Sequence, residues 1–274
     1  MKIERAYFAN GVERAVDELA DEVIRLTKGT GAYGGVIGLS GGIDSTATAY
    51  LCDYAFGREG SGLGLYGIVM PSDANRDEDK EDGLRVAKNL GIESVVVPIE
   101  PIADIFARQV PGIDSEFHRG NLYSELRAVV LSRVAASKNY RVMGTGNWDE
   151  DYVLGYCTKR GDAAVDNNIL GNLPKRLVRE LAAHLGVSED LVNRVPTAGL
   201  WEGQTDEGEL GYTYDAAELI QNGFDQGYSA SQIEEITGFD NRIISDVVMR
   251  HANTEHKRKV PSVGKVSLLY GVRE

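Results

Sequence analysis

Short apolar runs alternate with helical stretches over the first two-thirds of the 274-residue chain. The predicted strands are 35–39, 63–70, 93–99 and 141–146, and the predicted helices are 12–28, 44–56, 77–91 and 121–138. Such alternation is typical of βαβ units, in which helices cover both faces of a parallel sheet. It predicts an α/β fold with an open, mostly parallel, doubly wound sheet. Ligands of these sheets bind beyond the carboxyl ends of the strands, where the glycine-rich stretches 40–42 and 144–146 fall.

The alternation weakens after residue 146. A helix is predicted over 175–185 between loops, a helical region over 214–256 and an irregular tail over 258–274. The sequence shows no internal repeat and no low-complexity linker. We therefore expect one domain over 1–274, with a helical C-terminal part.

Composition excludes some classes of function. The formal net charge of −13 disfavours a nucleic-acid partner, because phosphate contacts need clustered Lys and Arg. No apolar run approaches the roughly 18 residues of a membrane span, and the first ten residues lack a signal-peptide core, so a cytoplasmic location without membrane contact is expected. Cys52 and Cys157 form neither a disulfide framework nor a zinc-binding spacing, so that a bound metal is expected to be oxygen-ligated.

The segment SGGIDS, 40–45, lies between the first predicted strand and the second predicted helix. A glycine turn before a helix presents unpaired N–H groups and a partial positive charge, which suits a phosphate. The segment lacks the Gly-Lys-Ser/Thr ending of a Walker A loop. Asp44 cannot donate to phosphate, and a bridging Mg²⁺ explains an acid there. The alternative is a tight turn in which Asp44 or Ser45 only caps the helix.

This segment resembles the pyrophosphate-binding loop of the N-type ATP pyrophosphatases, which include NAD, GMP and asparagine synthetases and tRNA-thiolating enzymes. Members use ATP to adenylate an acceptor oxygen, release pyrophosphate and let a nitrogen or sulfur nucleophile displace AMP. The resemblance implies an adenine-nucleotide alpha-hydrolase-like fold. It does not choose among the members.

Four further segments resemble the ammonia-dependent NAD synthetases. They are VMGTGN at 142–147, GYCTKRGDAAVD at 155–166, PTAGLWEGQTDEGELGYTYD at 196–215 and TEHKRKVP at 254–261. Their order and spacing agree with that family from about residue 10 to residue 262. The resemblance implies ATP-dependent amidation of deamido-NAD by ammonia through an adenylate, with NAD, AMP and pyrophosphate as products. It also implies a homodimer.

The resemblance further implies the residues of the site. ATP would be bound by Gly38, Ser40, Gly41, Gly42, Asp44, Ser45, Thr145, Lys175 and Thr197. Deamido-NAD would be bound by Lys159, Asp166, His256 and Lys257. Asp44, Ser45 and Lys175 would be catalytic, with Lys175 stabilising charge on the leaving group, and Asp44 and Glu150 would hold Mg²⁺.

The metal ligand after GTGN is ambiguous, because the spacing is one residue longer than in the family pattern. Counting forward from Thr145 gives Glu150, whereas counting back from Gly155 gives Asp151. We prefer Glu150, since it keeps the spacing to the ATP-binding threonine.

A second departure concerns the substrate side. The stretch 120–128 aligns with a family Gly-Asn-x-Lys-Ala-Arg pattern, which places Tyr123 at the lysine and Glu125 at an arginine that contacts deamido-NAD. An anion there should repel the substrate unless Arg127 or a partner compensates. A paralogue that amidates another carboxylate, and a nucleotide-binding protein without turnover, are therefore the alternatives.

The nitrogen source is expected to be free ammonia or ammonia from a separate partner. Only 39 residues precede the phosphate loop, far fewer than a glutaminase domain occupies. A tRNA-thiolating enzyme is disfavoured, because the chain shows neither a basic face nor a catalytic cysteine pair.

Overall fold

The computed structural model describes residues 2–197, 199, 201, 203–264 and 266. Within them, five strands form one sheet in the order β3-β2-β1-β4-β5, and every neighbouring pair is parallel. The strands are β1 (Gly34–Gly38), β2 (Gly64–Val69), β3 (Glu93–Val96), β4 (Arg141–Gly144) and β5 (Asn167–Asn168). The predicted open, doubly wound α/β sheet is thereby confirmed, and the two-residue β5 is an addition to it.

The described helices cover both faces of the sheet and continue into the C-terminal part. They are α1 (Gly11–Gly29), α2 (Ile43–Phe56), α3 (Asp77–Leu90), α4 (Glu100–Gln109), α5 (Glu116–Lys138), α6 (Lys175–His184), α7 (Glu189–Val192), α8 (Asp206–Leu210), α9 (Tyr214–Asp225), α10 (Ala230–Thr237) and α11 (Asn241–Asn253). The region predicted as helical over 214–256 is divided into three helices. The side chains of Thr213, Ser229 and Asp240 each accept a backbone N–H at the start of one of them.

The core lies on both sides of the sheet, because successive strand residues point to opposite faces. Ile37 packs with the buried residues of α1, α2, α3, α6 and α7, whereas its neighbour Val36 packs with those of α4 and α5. Both side chains are fully buried. A sheet covered on both faces explains why the strands read as continuous apolar runs.

A third cluster holds the C-terminal helices against the rest. Ile220, Ile233 and Ile244, from α9, α10 and α11, pack with Val153 and Leu154. The N-terminal segment joins them through Ile3. The single domain expected over 1–274 stays a prediction.

The tail lacks regular structure over 258–264 and at 266, and the other residues of the predicted tail lie outside the described residues. None of the described helices combines the length and the apolar character that a membrane span requires.

Strand order fixes where a ligand can bind. The chain runs from β1 to β2 and β3 on one side of the sheet and then continues with β4 on the other side of β1. The connections that leave β1 and β4 therefore diverge, and a crevice opens beyond the carboxyl ends of these two strands. Residues 40–45 follow β1 and residues 145–147 follow β4, so both motifs reach this crevice.

Candidate active site

A cavity of about 480 Å³ occupies the crevice. Its lining includes eight of the nine residues expected to bind ATP: Gly38, Ser40, Gly42, Asp44, Ser45, Thr145, Lys175 and Thr197. Gly41 is the exception, and its carbonyl oxygen accepts a hydrogen bond from Arg194, which itself lines the cavity. The Thr197 hydroxyl is bonded within its own loop, where it donates to the Gln204 carbonyl at 2.7 Å.

The loop after β1 leaves the N-terminus of α2 uncapped by any side chain. Ser45 donates to the Gly42 carbonyl at 3.1 Å, and its hydroxyl lies 3.0 Å from that of Ser40. The Asp44 side chain turns away from the helix backbone and contacts Asn147 and Lys175. Ser45 therefore bonds the turn itself, and neither Ser45 nor Asp44 caps α2.

Lys175 joins two carboxylates from distant parts of the chain. Its Nζ lies 2.6 Å from Asp44 Oδ2 and 2.5 Å from Glu150 Oε1, and its side chain is only 4% exposed. Burial opposes the charge on the ammonium, but the two carboxylates outweigh it and raise the pKa of Lys175 above its ordinary value. Lys175 is therefore a protonated, buried cation.

Glu150 is the second acid of this cluster. Burial raises the pKa of Glu150 above its ordinary value, and the Lys175 ammonium beside it opposes that rise. The Asp44 side chain is fixed from its other oxygen, which accepts from Asn147 Nδ2 at 2.9 Å. The cluster thus holds two carboxylates together around one cation.

A π-helix, Trp148–Leu154, follows GTGN and fits the inserted residue that the spacing predicts there. The N–H of Gly155 donates to the carbonyl of Glu150, five residues earlier, so the turn holds one residue more than an α-helical turn. Glu150 consequently faces Lys175, while Asp151 Oδ2 accepts from Asn168 Nδ2 at 2.8 Å. Of the two candidate metal ligands, Glu150 lies in the cluster with Asp44.

Asp149, next to Glu150, holds the backbone of Lys175. Its Oδ2 accepts the N–H of Lys175 at 2.7 Å, and the residue is 1% exposed. Burial raises the pKa of Asp149 to about 7. Consecutive residues of the π-helix therefore hold Lys175 by its backbone and by its ammonium.

The four residues expected to bind deamido-NAD do not come together in the cavity. Lys257 lines it, and its Nζ donates to the carbonyls of Gly155 and Cys157, at 2.7 Å each. Lys159 donates to the carbonyl of His256, and neither of these two lines the cavity.

Asp166 also lies outside the cavity lining. Its Oδ2 accepts the N–H of Val142 at 2.8 Å, which fixes the edge of β4. The roles of Lys159, Asp166 and His256 toward the substrate stay predictions.

Glu125 lies outside the lining of the main cavity, and its place beside the substrate stays a prediction. Glu125 is exposed and borders a separate, smaller cavity, whereas Arg127 lines the main cavity. Residues two apart on an α-helix point to nearly opposite sides, so one faces outward while the other faces the site. Burial lowers the pKa of Arg127 to about 10, and its Nη2 donates to Asn75 at 2.9 Å. Tyr123 is buried and its hydroxyl donates to Glu100.

Three polar residues around the cluster were not predicted from the sequence: Asp149, Arg194 and Asp206. Asp206 is buried, lines the cavity and accepts from the Tyr214 hydroxyl at 2.9 Å. Asp206 lies within the family-like stretch 196–215, and Arg194 lies two residues before it, which is the local signal that could have drawn attention to them.

This fold and site define a doubly wound α/β protein with a glycine-rich loop at its topological switch point. Comparison with known proteins makes the assignment more specific. The family model described as NAD synthase matches residues 12–261, and the chain belongs to this family. The family resemblance expected from the motifs is thereby confirmed.

Individual relatives agree with the family. The chain is 37% identical over 260 residues to the NH(3)-dependent NAD(+) synthetase of Methanococcoides burtonii. The matched region covers 94% of this chain and 97% of that protein. The structure of NMN synthetase from Francisella tularensis matches with a TM-score of 0.81 and 31% identity, over 93% of this chain and 99% of that one. The structure of the NH3-dependent NAD synthetase from Campylobacter jejuni matches with a TM-score of 0.75 and 25% identity, over 93% of this chain and 100% of that one.

Replacing Lys175 by Met is expected to lower the free energy of unfolding by about 3 to 5 kcal/mol, because it leaves two largely buried carboxylates without their shared cation. Urea unfolding monitored by circular dichroism measures the change. Lys88→Met, at an exposed position of α3, is the control and should stay within about 0.5 kcal/mol of the wild type. Equal stability of the two variants would contradict the ion-pair description.

Proposed function

We propose that the chain forms NAD from deamido-NAD and ammonia at the expense of ATP. The observation that carries this proposal is the cluster of Lys175, Asp44 and Glu150 beside the phosphate loop. Family membership supplies the reaction class, and the site supplies the groups that the reaction needs.

Chemistry dictates two steps. A carboxylate is a poor electrophile, so an oxygen of the nicotinate carboxylate first attacks the α-phosphate of ATP and expels pyrophosphate. Ammonia then attacks the carbonyl carbon of the mixed anhydride, loses a proton and displaces AMP with the bridging oxygen. One carboxylate oxygen thus remains in the amide of NAD, and the other leaves in AMP.

The loop after β1 would receive the pyrophosphate. Backbone N–H groups at the uncapped start of α2, and the hydroxyls of Ser40 and Ser45, are donors that face the cavity. Lys175, at the first position of α6, would stabilise the charge that develops on the leaving group. Arg127, from α5, also lines the cavity and would add a second cation.

Asp44 and Glu150 fit a Mg²⁺ ion. Their carboxylate oxygens are hard donors and already converge on a single cation, the Lys175 ammonium. The described residues contain no group of three or more His, Cys, Asp or Glu side chains arranged for a metal. Phosphate oxygens and water would therefore complete the shell, as is usual for Mg²⁺. The bound ion would neutralise charge on the transferring phosphates.

The proposal also includes a homodimer in which α4 and α5 form part of the contact. These helices pack together and expose large apolar side chains, most of all Ile105 and Phe117. Exposed apolar patches rimmed by polar residues mark protein contacts. The cytoplasmic location and the absence of a nucleic-acid partner stay predictions.

The wild-type protein should release NAD and AMP in equal amounts when given ATP, Mg²⁺, ammonium and deamido-NAD. Asp44→Asn should lower kcat by about a hundredfold or more, since it removes a charge next to the reacting phosphates. Asp53→Asn, on the same helix but outside the cavity lining, should retain activity. ATP binding without NAD formation by the wild type would favour a paralogue or a binding protein.

Glu150→Gln should raise the Mg²⁺ concentration for half-maximal rate by at least about tenfold. Even residues that only contact the ligands of a metal contribute about tenfold or more to its affinity. Asp151→Asn is the matched control, since Asp151 bonds Asn168 instead of the cluster. Mg²⁺ titrations of the rate compare the two. The reverse ranking would assign the ligand to Asp151.

The double variant Ile105→Glu, Phe117→Glu should shift the protein from dimer to monomer in analytical ultracentrifugation, because two new charges would be buried at the contact. Tyr7→Glu, at a residue 77% exposed outside α4 and α5, should leave the dimer intact. A wild-type protein that sediments as a monomer would contradict this part of the proposal.

A further inference from the structure

We infer that Arg194 is a positioning residue that aims the phosphate loop at the leaving pyrophosphate; this inference rests on the proposed function. Arg194 Nη1 donates to the Gly41 carbonyl at 2.7 Å. The same guanidinium pairs with Asp82 at 2.6 Å and with Asp79 at 3.2 Å, both on α3. One side chain therefore ties the loop after β1 to a neighbouring helix.

The carbonyl that Arg194 holds determines the direction of the next N–H. In a trans peptide, the C=O of one residue and the N–H of the following residue point in opposite directions. Holding the Gly41 carbonyl toward α3 therefore turns the Gly42 N–H the other way, where it meets Ser40 Oγ at 3.3 Å. Gly42 and Ser40 line the cavity and Gly41 does not.

The loop after β1 lies in close contact with Arg194 and α3, which together form the anchor of the loop. Gly41 has a φ of +78°, and a Cβ there would lie 2.7 Å from the Asp79 carbonyl oxygen and 3.1 Å from Arg194 Nη1. Glycine is therefore required at 41 by the left-handed backbone and by the close approach of α3. The conformation of the turn at Gly41 and its contact with Arg194 and α3 therefore depend on each other.

Charge argues for positioning rather than for direct phosphate binding. Arg194 is compensated by two carboxylates whose side chains are only 12% and 19% exposed. Arg76 and Arg85 pair with the same two carboxylates, and Asp190 pairs with Arg85, so the charges of the whole network balance. Asp82 is further held by Arg85 at 2.7 Å. A planar guanidinium can bond a carbonyl and two carboxylates together, which the single ammonium of a lysine cannot do with the same geometry.

The test compares pyrophosphate binding, kcat and KM in two variants. Arg194→Met should weaken inhibition by inorganic pyrophosphate and raise the KM for ATP by about tenfold or more, as expected for a lost charge-assisted hydrogen bond. It should also lower kcat, while the KM for deamido-NAD changes less than about twofold. Arg194→Lys should restore part of the loss. Arg14→Met, in the exposed pair with Glu18, is the matched control.

Asp82→Asn separates positioning from direct contact. Under this inference, loosening the anchor weakens pyrophosphate binding in the same direction as Arg194→Met. If Arg194 instead contacted phosphate, releasing it from Asp82 would tighten binding, and that result would overturn the inference. Unchanged pyrophosphate binding in Arg194→Met would overturn it as well.

Calorimetric binding of pyrophosphate and ATP needs no turnover. The two proposals can therefore fail separately. A wild type that makes no NAD contradicts the proposed function, whereas an active wild type with an unaltered Arg194→Met variant contradicts only the anchor. Circular dichroism of each variant confirms that the comparison is made on folded protein.

Discussion

The Lys175 ammonium, almost fully buried, can stay charged only because two carboxylates meet it, since an uncompensated charge in such a place is costly. Asp44 stands 131 positions before it and Glu150 25 positions before it. These side chains meet only when the turn after β1, the π-helix after β4 and the start of α6 are all in place. The cluster therefore forms only when the sheet has brought these three segments together at the carboxyl ends of β1 and β4.

The same site combines opposite electrostatic requirements. Under the proposed function, pyrophosphate needs donors, which the start of α2, the two serines and Lys175 would provide. The proposed Mg²⁺ needs hard acceptors, which Asp44 and Glu150 would provide. Arg194, compensated by Asp79 and Asp82, would shape the loop as part of a charge-balanced network. An acidic chain can thus bind polyanions, because the field that matters is the local one.

Local patterns in the sequence predicted the parallel sheet and the glycine turn after β1, because each depends on residues that are close in sequence. Lys175 was expected only from the resemblance to the family. The spacing after GTGN also predicts one inserted residue, but it does not reveal the π-helix found there, in which Gly155 lies directly against Thr254 of a distant segment. The outward direction of Glu125 followed from the rotation of α5, which the sequence alignment alone did not fix. Asp149 and Arg194 act on backbone groups of distant segments, and such contacts leave no periodic signal.

The central claim is that ATP activates the nicotinate carboxylate by adenylation at the Lys175 cluster. The most direct measurement follows oxygen from deamido-NAD labelled with ¹⁸O in that carboxylate, with mass spectrometry of the AMP and pyrophosphate that are released. Adenylation predicts one ¹⁸O atom in the phosphate of AMP, one in the amide of NAD and none in pyrophosphate. Unlabelled AMP formed together with NAD would contradict the account, because ATP would then not have been attacked by the carboxylate.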